Sequence, residues 1–211
     1  MSDRSGTSGT ITLYGDARSG NTGKVVFTLR YLDIRYDWIE VDSVGGKTRT
    51  PAFLAINPQG QIPAVILPDG RILAQSNAIV RYFAQGTSLL PNDPWPRFKI
   101  DEWMFWEANN HELAVSACIG DMTYRGKSRE DRDEATVARA ERALDYMDGQ
   151  LAGREWLIGP SLSAADIALI AYTRAAERGG LELARRPALR SWIDRCEAEL
   201  GLDSGSGMAG N

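Results

Sequence analysis

The chain has 211 residues, of which 43% are hydrophobic and 25% charged, the proportions of an ordinary water-soluble globular protein. Its formal net charge is −4, whereas nucleic-acid binding requires clustered lysine and arginine, so nucleic acid is not the expected partner. No stretch approaches the roughly 18 consecutive apolar residues of a membrane span. The first residues lack the apolar core of a secretory signal, which predicts a cytoplasmic protein.

The sequence contains a single histidine and two cysteines that lie far apart, Cys118 and Cys196. Structural zinc sites need closely spaced cysteine or histidine ligands, so the sequence predicts no metal. Each cysteine lies within a helical pattern. Two isolated cysteines in a cytoplasmic chain are typical of buried, reduced side chains.

Short strand-like and helical patterns alternate over the first 86 residues. The predicted elements in chain order are a strand at 11–14, a helix at about 22–32, a strand at 36–41, a helix that begins at Pro51, a hairpin at 64–73 and a helix at 76–84. A strand–helix–strand unit makes its two strands parallel, whereas a hairpin adds an antiparallel pair. This order predicts a small mixed sheet with helices on its faces.

Beyond residue 86 a proline-rich stretch leads into segments that all show helical patterns. Helices are predicted at about 97–119, 130–151, 163–178 and 188–200, separated by glycine, proline and serine. The predicted organisation is a flexible tail at 1–9, an α/β domain at 10–86, a linker at 87–97, an all-helical domain at 98–202 and a second flexible tail at 203–211.

Two neighbouring features of the α/β domain together predict a binding site. Pro63 at the first residue of a strand leaves Ile62 extended with unpaired backbone groups, to which a short peptide can add as an extra strand. Ser76 is a natural N-cap, and a helix N-terminus stabilises a carboxylate. Alone, each feature is more often a plain strand start or a plain helix cap. A peptide with a free carboxylate would satisfy both.

Residues 57–64 (Asn-Pro-Gln-Gly-Gln-Ile-Pro-Ala) and 75–82 (Gln-Ser-Asn-Ala-Ile-Val-Arg-Tyr) resemble the signature of the soluble glutathione transferases. Residues 163–166 (Ser-Ala-Ala-Asp) are similar to the capping box of that family, which starts a buried helix and does no chemistry. The resemblance covers nearly the whole chain and points to the bacterial-type serine/threonine/asparagine branch. It implies an α/β thioredoxin-like N-terminal domain plus an all-α C-terminal helical-bundle domain. It also implies a homodimer with glutathione as co-substrate and no metal.

The same resemblance implies how the central part of glutathione binds. The Ile62–Pro63 peptide bond would be cis, and Ile62 would pair with the cysteinyl backbone of glutathione. Gln75 and Ser76 would hold the γ-glutamyl carboxylate.

Further contacts are implied for the two ends of the tripeptide. Lys47 and Gln61 would lie near the glycyl end. Asp101 falls where family members reach across a dimer to the γ-glutamyl amine, and a solvent-facing helix residue is the alternative interpretation.

Transfer chemistry requires the thiolate of glutathione, because the thiolate is the nucleophilic form of a thiol. Hydrogen bonds to a charged sulfur contribute about 1.5–3 kcal/mol each, enough to lower a thiol pKa by about one to two units. The resemblance assigns this role to Ser19, Asn21 and Thr22, with Ser19 at the position of the catalytic hydroxyl. A simple N-cap cluster is the alternative. Tyr14 is a rival donor, although it lies one residue out of register with the tyrosine of other branches.

The electrophile pocket is expected against the first helix of the helical domain, where the resemblance places Phe105, Ala108 and His111. Aromatic residues at this spacing also suit a helix core, and His111 also suits a polar helix surface. The predicted function is conjugation of the glutathione thiolate to a small hydrophobic electrophile. The alternatives are a glutathione-dependent peroxidase or lyase on the same site, or a non-catalytic interaction module that retains the fold.

Overall fold

The computed structural model describes residues 9–203, so nearly all of the two predicted tails lies outside the described residues. Its four strands are β1 (Ile11–Gly15), β2 (Tyr36–Glu40), β3 (Ala64–Ile66) and β4 (Ile72–Ala74). They form one sheet in the order β2-β1-β3-β4. Strand β1 is parallel to β2 and antiparallel to β3, and β3 is antiparallel to β4. The predicted mixed sheet is confirmed.

Three helices accompany the sheet: α1 (Gly20–Tyr31), α2 (Pro51–Ile56) and α3 (Ser76–Ala84). Helix α1 buries Val25, Val26 and Leu29, and it packs against α3. These side chains join Leu13 of β1 in the hydrophobic core. The apolar positions predicted for one face of this helix are therefore its core positions.

The second part of the chain is helical. It contains α4 (Pro94–Trp106), a π-helical turn (Glu107–His111), α5 (Glu112–Thr123), α6 (Glu134–Leu151), α7 (Ala164–Thr173) and α8 (Pro187–Leu200). Helix α7 is buried along its whole length and packs against α1 and α4. Among the helices of residues 9–203, none has the length and apolar character required to cross a bilayer.

The predicted single helix at 97–119 is wrong in one respect, because the π turn separates α4 from α5. The side-chain amides of Asn109 and Asn110 donate to the backbone carbonyls of Phe105 (2.8 Å) and Trp106 (3.2 Å). These bonds compete with the regular helical pattern, since each carbonyl lies four residues back. The wider turn changes which side chains share a face beyond it.

The predicted capping box at the start of α7 is confirmed. The Ser163 side chain accepts from the Asp166 backbone, and the Asp166 carboxylate accepts from the Ser163 backbone N–H at 2.9 Å. The same carboxylate accepts from the indole Nε1–H of Trp192 at 2.8 Å. Asp166 is fully buried and its acceptors are used inside the fold, so its role is structural. Cys118 and Cys196 are buried and unpaired, as predicted.

Candidate active site

A cavity of about 500 Å³ opens between the sheet part and the helical part. One side, which we term the sheet wall, consists of Asn57, Gly60, Gln61, Ile62, Pro63, Gln75 and Ser76. The opposite side, the helical wall, consists of Ala108, Glu112 and Leu113. Asn21, Ser43 and Thr48 complete the lining. Amide and hydroxyl groups therefore face two apolar side chains and one carboxylate across the cavity.

The sheet wall holds its backbone through side chains of its own segment. The Ile62–Pro63 peptide bond is cis, as predicted. The Asn57 amide donates to the Gln61 carbonyl at 2.7 Å, which fixes the segment that leads into β3. Gly60 has a φ of 62°, a conformation that residues with a side chain rarely adopt. Ile62 and Pro63 at the end of this segment line the cavity.

Helix α3 begins at the cavity, but its cap differs from the expectation. Gln75, with a φ of 72°, is the N-cap residue and forms no side-chain cap hydrogen bond. Ser76 is the first helical residue, and its hydroxyl donates to Asn21 Oδ1 at 2.8 Å. The prediction of Ser76 as N-cap is therefore wrong, because its hydroxyl bonds another helix. Gln75 leaves the first N–H groups of α3 without a side-chain cap of its own, which suits them to an anion.

The three predicted thiol donors lie around the start of α1 but have different environments. Ser19 is the N-cap, and its Oγ accepts from the Thr22 backbone N–H at 3.3 Å. Thr22 is fully buried and accepts from the Asp16 N–H at 3.3 Å. Of these three residues, only Asn21 lines the cavity. Thr22 therefore has no face available to a ligand.

The buried carboxylate of Asp16 fixes the loop before α1 through its hydrogen bonds. Asp16 accepts from the Ser43 hydroxyl at 2.7 Å and from the Arg18 guanidinium at 2.7 Å. Burial alone would raise the pKa of Asp16, but the hydrogen bonds from Arg18 and Ser43 outweigh it and hold that pKa well below its usual range. The carboxylate stays charged and ties the α1 loop to the end of β2.

A lysine with no exposed surface lies behind the cavity. Lys24 Nζ donates to Glu107 Oε1 at 2.7 Å and to Glu112 Oε2 at 3.0 Å. Glu107 is also fully buried and accepts from Asn77 Nδ2 at 3.0 Å. Burial raises the pKa of Glu107, and the charge of Lys24 opposes that rise. The group links α1 and α3 to the π turn and α5.

Comparison with known proteins gives the family of this fold and cavity. The family model for the glutathione S-transferase N-terminal domain matches residues 18–85, and the C-terminal domain model matches residues 108–199. The chain is 31% identical to glutathione S-transferase GstB of Escherichia coli (strain K12), over 88% of this chain and 92% of that protein. The chain belongs to the soluble glutathione S-transferase family. Family membership assigns a glutathione S-transferase-type enzyme with glutathione as its co-substrate.

Two further comparisons extend the similarity to a solved structure and to a protein named as an isomerase. A crystal structure of a glutathione S-transferase from Pseudomonas fluorescens Pf-5 superposes with a TM-score of 0.86 at 40% identity, covering 89% of this chain and 94% of that one. A maleylacetoacetate isomerase from Pseudomonas aeruginosa is 28% identical, over 89% of this chain and 92% of that protein. The thioredoxin-like fold with a helical second domain is confirmed.

Some residues predicted for this glutathione S-transferase site lie outside the cavity. Lys47 is exposed and lines a separate groove of about 400 Å³, together with Tyr14. Asp101 forms an ion pair with Arg81 of the same chain. The rival donor Tyr14 thus faces away from the site, and the contacts proposed for Lys47 and Asp101 stay predictions.

On the helical wall the structure brings together a different set from the predicted one. Ala108 lines the cavity, but Phe105 does not and is 71% exposed. His111 is fully buried, and its Nε2 lies 2.9 Å from Thr173 Oγ1. Burial, assisted by the charge of Lys24, lowers the pKa of His111 to about 3. The structure therefore does not bring Phe105 or His111 into the lining of this cavity, and their role as electrophile contacts stays a prediction.

Several lining residues were missing from the sequence prediction: Ser43, Thr48, Asn57, Gly60, Glu112 and Leu113. Asn57 carried a signal, since it opens the run 57–64 that suggested the site. Glu112 carried a weaker one, because it lies four residues after Ala108.

Proposed function

We propose that this enzyme conjugates the thiolate of glutathione to a small hydrophobic electrophile. The observation that carries the proposal is the meeting, in one cavity, of the Ile62 backbone edge and the uncapped start of α3. The cysteinyl backbone of glutathione pairs with Ile62, as a strand added to a sheet edge. The γ-glutamyl carboxylate binds at Gln75 and Ser76, where the helix N-terminus favours an anion. Gln61, which lines the cavity, serves the glycyl end, and Lys47 would have to reach that end from its neighbouring groove.

The glutathione sulfur in this arrangement lies beside the start of α1. Asn21 is the favoured donor to the thiolate, because its amide is in the cavity lining. Ser19 is the second candidate, since its hydroxyl caps the start of α1, two residues before Asn21. One charged hydrogen bond of about 1.5–3 kcal/mol accounts for a thiol pKa lowered by about one to two units.

The chemical step needs no general base. The thiol proton passes to solvent as the thiolate forms. The sulfur then bonds to the electrophilic carbon, and the leaving group departs with the bonding electron pair. Ala108 and Leu113 provide an apolar surface for the electrophile, next to Ile62 and Pro63. The cavity of about 500 Å³ must also hold glutathione, which restricts the electrophile to a small molecule.

We further propose a homodimer formed through α4. Trp95, Phe98 and Phe105 are 73%, 66% and 71% exposed, and their spacing of three and seven residues puts them on one helix face. Clustered exposed aromatic residues are typical of a protein–protein interface. Asp101 lies on the same helix, from which it would reach glutathione bound to the partner. Sedimentation of wild type beside Phe98→Ala tests this: a wild-type monomer at micromolar concentration contradicts it.

The cytoplasm is the proposed compartment. Cys118 on α5 and Cys196 on α8 are buried and form no disulfide bond. Free thiols persist where the cellular thiol pool keeps them reduced. Fractionation of the native host with an antibody to the chain tests the assignment, and recovery from a secreted fraction contradicts it.

Glutathione binding is the first test of the proposed function. The wild-type protein is expected to be retained on immobilised glutathione and to melt at a higher temperature with millimolar glutathione, because a ligand that binds the folded state stabilises it. Absence of both effects would contradict the transferase proposal and would favour a non-catalytic module.

The second test separates the reaction types and the donors. Turnover of an aryl halide supports conjugation, whereas turnover of only cumene hydroperoxide or an aryl ether supports the peroxidase or lyase alternative. Asn21→Ala is expected to lose about ten- to a hundredfold in kcat/KM. Ser19→Ala should lose less and Thr22→Ala should act only through stability. Asn92→Ala, an exposed asparagine, is the matched control. Full activity in all three variants would contradict the proposed donor loop.

A further inference from the structure

The polar groups behind the cavity form a continuous chain of hydrogen bonds that begins and ends on α3. Ser76 Oγ donates to Asn21 Oδ1 at 2.8 Å, and Asn21 Nδ2 donates to Glu112 Oε1 at 2.6 Å. The other carboxylate oxygen of Glu112 accepts from Lys24, 3.0 Å away. Through Glu107 the chain then returns to Asn77, the neighbour of Ser76. Asn21 therefore contacts the helical domain directly.

The orientation of the Asn21 amide follows from this chain. A carboxylate only accepts hydrogen bonds, so Glu112 must face the Nδ2 group of Asn21 rather than its oxygen. The oxygen is then left to the Ser76 hydroxyl, which can donate. An Nδ2 group carries two N–H bonds, of which Glu112 uses one. The second is available to a ligand, and Asn21 lines the cavity.

The charges around Glu112 make this arrangement compatible with a thiolate. Glu112 is only partly buried, with 21% of its side chain exposed, and it faces the cavity. An unpaired carboxylate there would repel a sulfur anion. Lys24 and Glu107 face it from α1 and the π turn, and the ring of Tyr172 from α7 lies 5.7 Å from Lys24 Nζ. Lys24 lies 3.0 Å from Glu112 and offsets part of its charge, because the same ammonium group also pairs with the buried Glu107 at 2.7 Å.

We propose that Glu112 is a positioning residue, which holds the Asn21 amide with its free N–H toward the sulfur of bound glutathione. The proposal rests on the proposed function and concerns the same site. It gives the helical domain a part in thiol activation, besides its part in binding the electrophile. Glu112 acts through Asn21 and does not itself contact the sulfur.

Glu112→Gln gives the sharpest test, because two explanations predict opposite signs. Lys24 has only donors, so the glutamine oxygen is expected to turn to Lys24 and the glutamine NH₂ to Asn21. The Asn21 side-chain amide must then rotate by about 180° so that its oxygen faces the glutamine, and its Nδ2 group no longer points toward the sulfur. The pKa of the bound thiol should rise by about one unit, a tenfold change in ionisation, measured by thiolate absorbance against pH. If Glu112 acted only through its charge, its loss would lower that pKa.

A double-mutant cycle establishes whether Glu112 acts through Asn21. In the Asn21→Ala background, Glu112→Gln is expected to leave the bound-thiol pKa unchanged, because no amide remains to be positioned. Glu112→Asp, which keeps the charge but is one methylene shorter, should resemble Glu112→Gln in the otherwise wild-type protein. Because the aspartate keeps a negative charge beside Lys24, Glu112→Asp can replace Glu112→Gln if the glutamine variant folds poorly. Glu155→Gln, an exposed glutamate, is the control.

Each outcome either supports or overturns the inference. A raised thiol pKa in Glu112→Gln that disappears in the Asn21→Ala background supports it. An unchanged or lowered pKa, or an effect that persists without Asn21, overturns it while leaving the transferase proposal intact. A wild-type protein that binds glutathione without lowering its thiol pKa overturns the assignment of Asn21 as well. Failure of the wild type to bind glutathione overturns the proposed function itself.

Discussion

The sheet wall and the helical wall meet in one cavity, but they hold their groups in different ways. In the sheet wall, Asn57 bonds the Gln61 carbonyl four residues away, so the binding edge is held within its own segment. In the helical wall, Glu112 is held by Lys24, which lies 88 residues earlier in the chain. Local structure therefore shapes the glutathione end, whereas packing between distant segments shapes the electrophile end.

The largest expected effect comes from the residue that joins the two walls. Lys24→Met leaves the buried Glu107 without its counter-charge, and breaking such a pair costs about 3–5 kcal/mol. Urea denaturation should show this loss in the free energy of unfolding. Adding Glu107→Gln removes the uncompensated charge and should restore part of the loss. If Lys24→Met alone were as stable as wild type, the ion pair between Lys24 and Glu107 would not hold the two walls together.

The next effect concerns the sheet wall alone. Ser76→Ala removes the hydroxyl that donates to Asn21 Oδ1 beside the proposed carboxylate site, and the loss of this hydrogen bond should raise the KM for glutathione by up to about tenfold. The KM for the electrophile should stay unchanged, as measured by varying each substrate in turn. Ser128→Ala, at an exposed serine, is the control. An effect confined to the electrophile would contradict the division between the walls.

A smaller effect is expected from His111, which is buried next to the helical wall. The pKa of His111 is lowered to about 3 in the folded protein, from about 6.5 in an unfolded chain. As the pH falls below about 6.5, the unfolded chain binds a proton that the folded one refuses, so stability falls by up to about 1.4 kcal/mol per pH unit. Above that pH the contribution is constant. His111→Gln should weaken this dependence in urea denaturation at several pH values, and equal slopes would contradict the buried neutral histidine.

The smallest expected effect compares Leu113, which lines the cavity, with Phe105, which was predicted to line it. Leu113→Ala should raise the KM for the electrophile about three- to fivefold, since a partly exposed leucine contributes less than about 1 kcal/mol. Phe105→Ala should leave that KM unchanged, measured at protein concentrations where its oligomeric state matches wild type. A larger effect of Phe105→Ala would show that the π turn does not set the electrophile wall.

The sequence predicted the sheet, the hairpin and the Ser163 capping box, because each depends on neighbouring residues with strong backbone preferences. It misplaced Ser76 as an N-cap, since the competing partner Asn21 is 55 residues away. It also missed Glu112. No local pattern reveals that Lys24 is buried and needs two carboxylates.

Of the three residues predicted for the electrophile pocket, Ala108 lines the cavity, but Phe105 and His111 do not. The π turn at Glu107–His111 changes the number of residues per turn, so residues beyond it lie on a different face from the one that a regular helix would give. Asn109 and Asn110 hinted at it, because asparagine side chains compete for helix carbonyls. Their hydrogen bonds became evident only in the folded chain.

The burial of both cysteines has a consequence for an enzyme whose co-substrate is itself a thiol. Cys118 and Cys196 are the two cysteines of the sequence, and burial raises the pKa of each thiol. Neither therefore presents a thiolate that could attack the disulfide of oxidised glutathione to form a mixed disulfide. The protein should keep its activity through swings in the redox balance of the glutathione pool, and alkylating reagents should leave the folded enzyme unmodified.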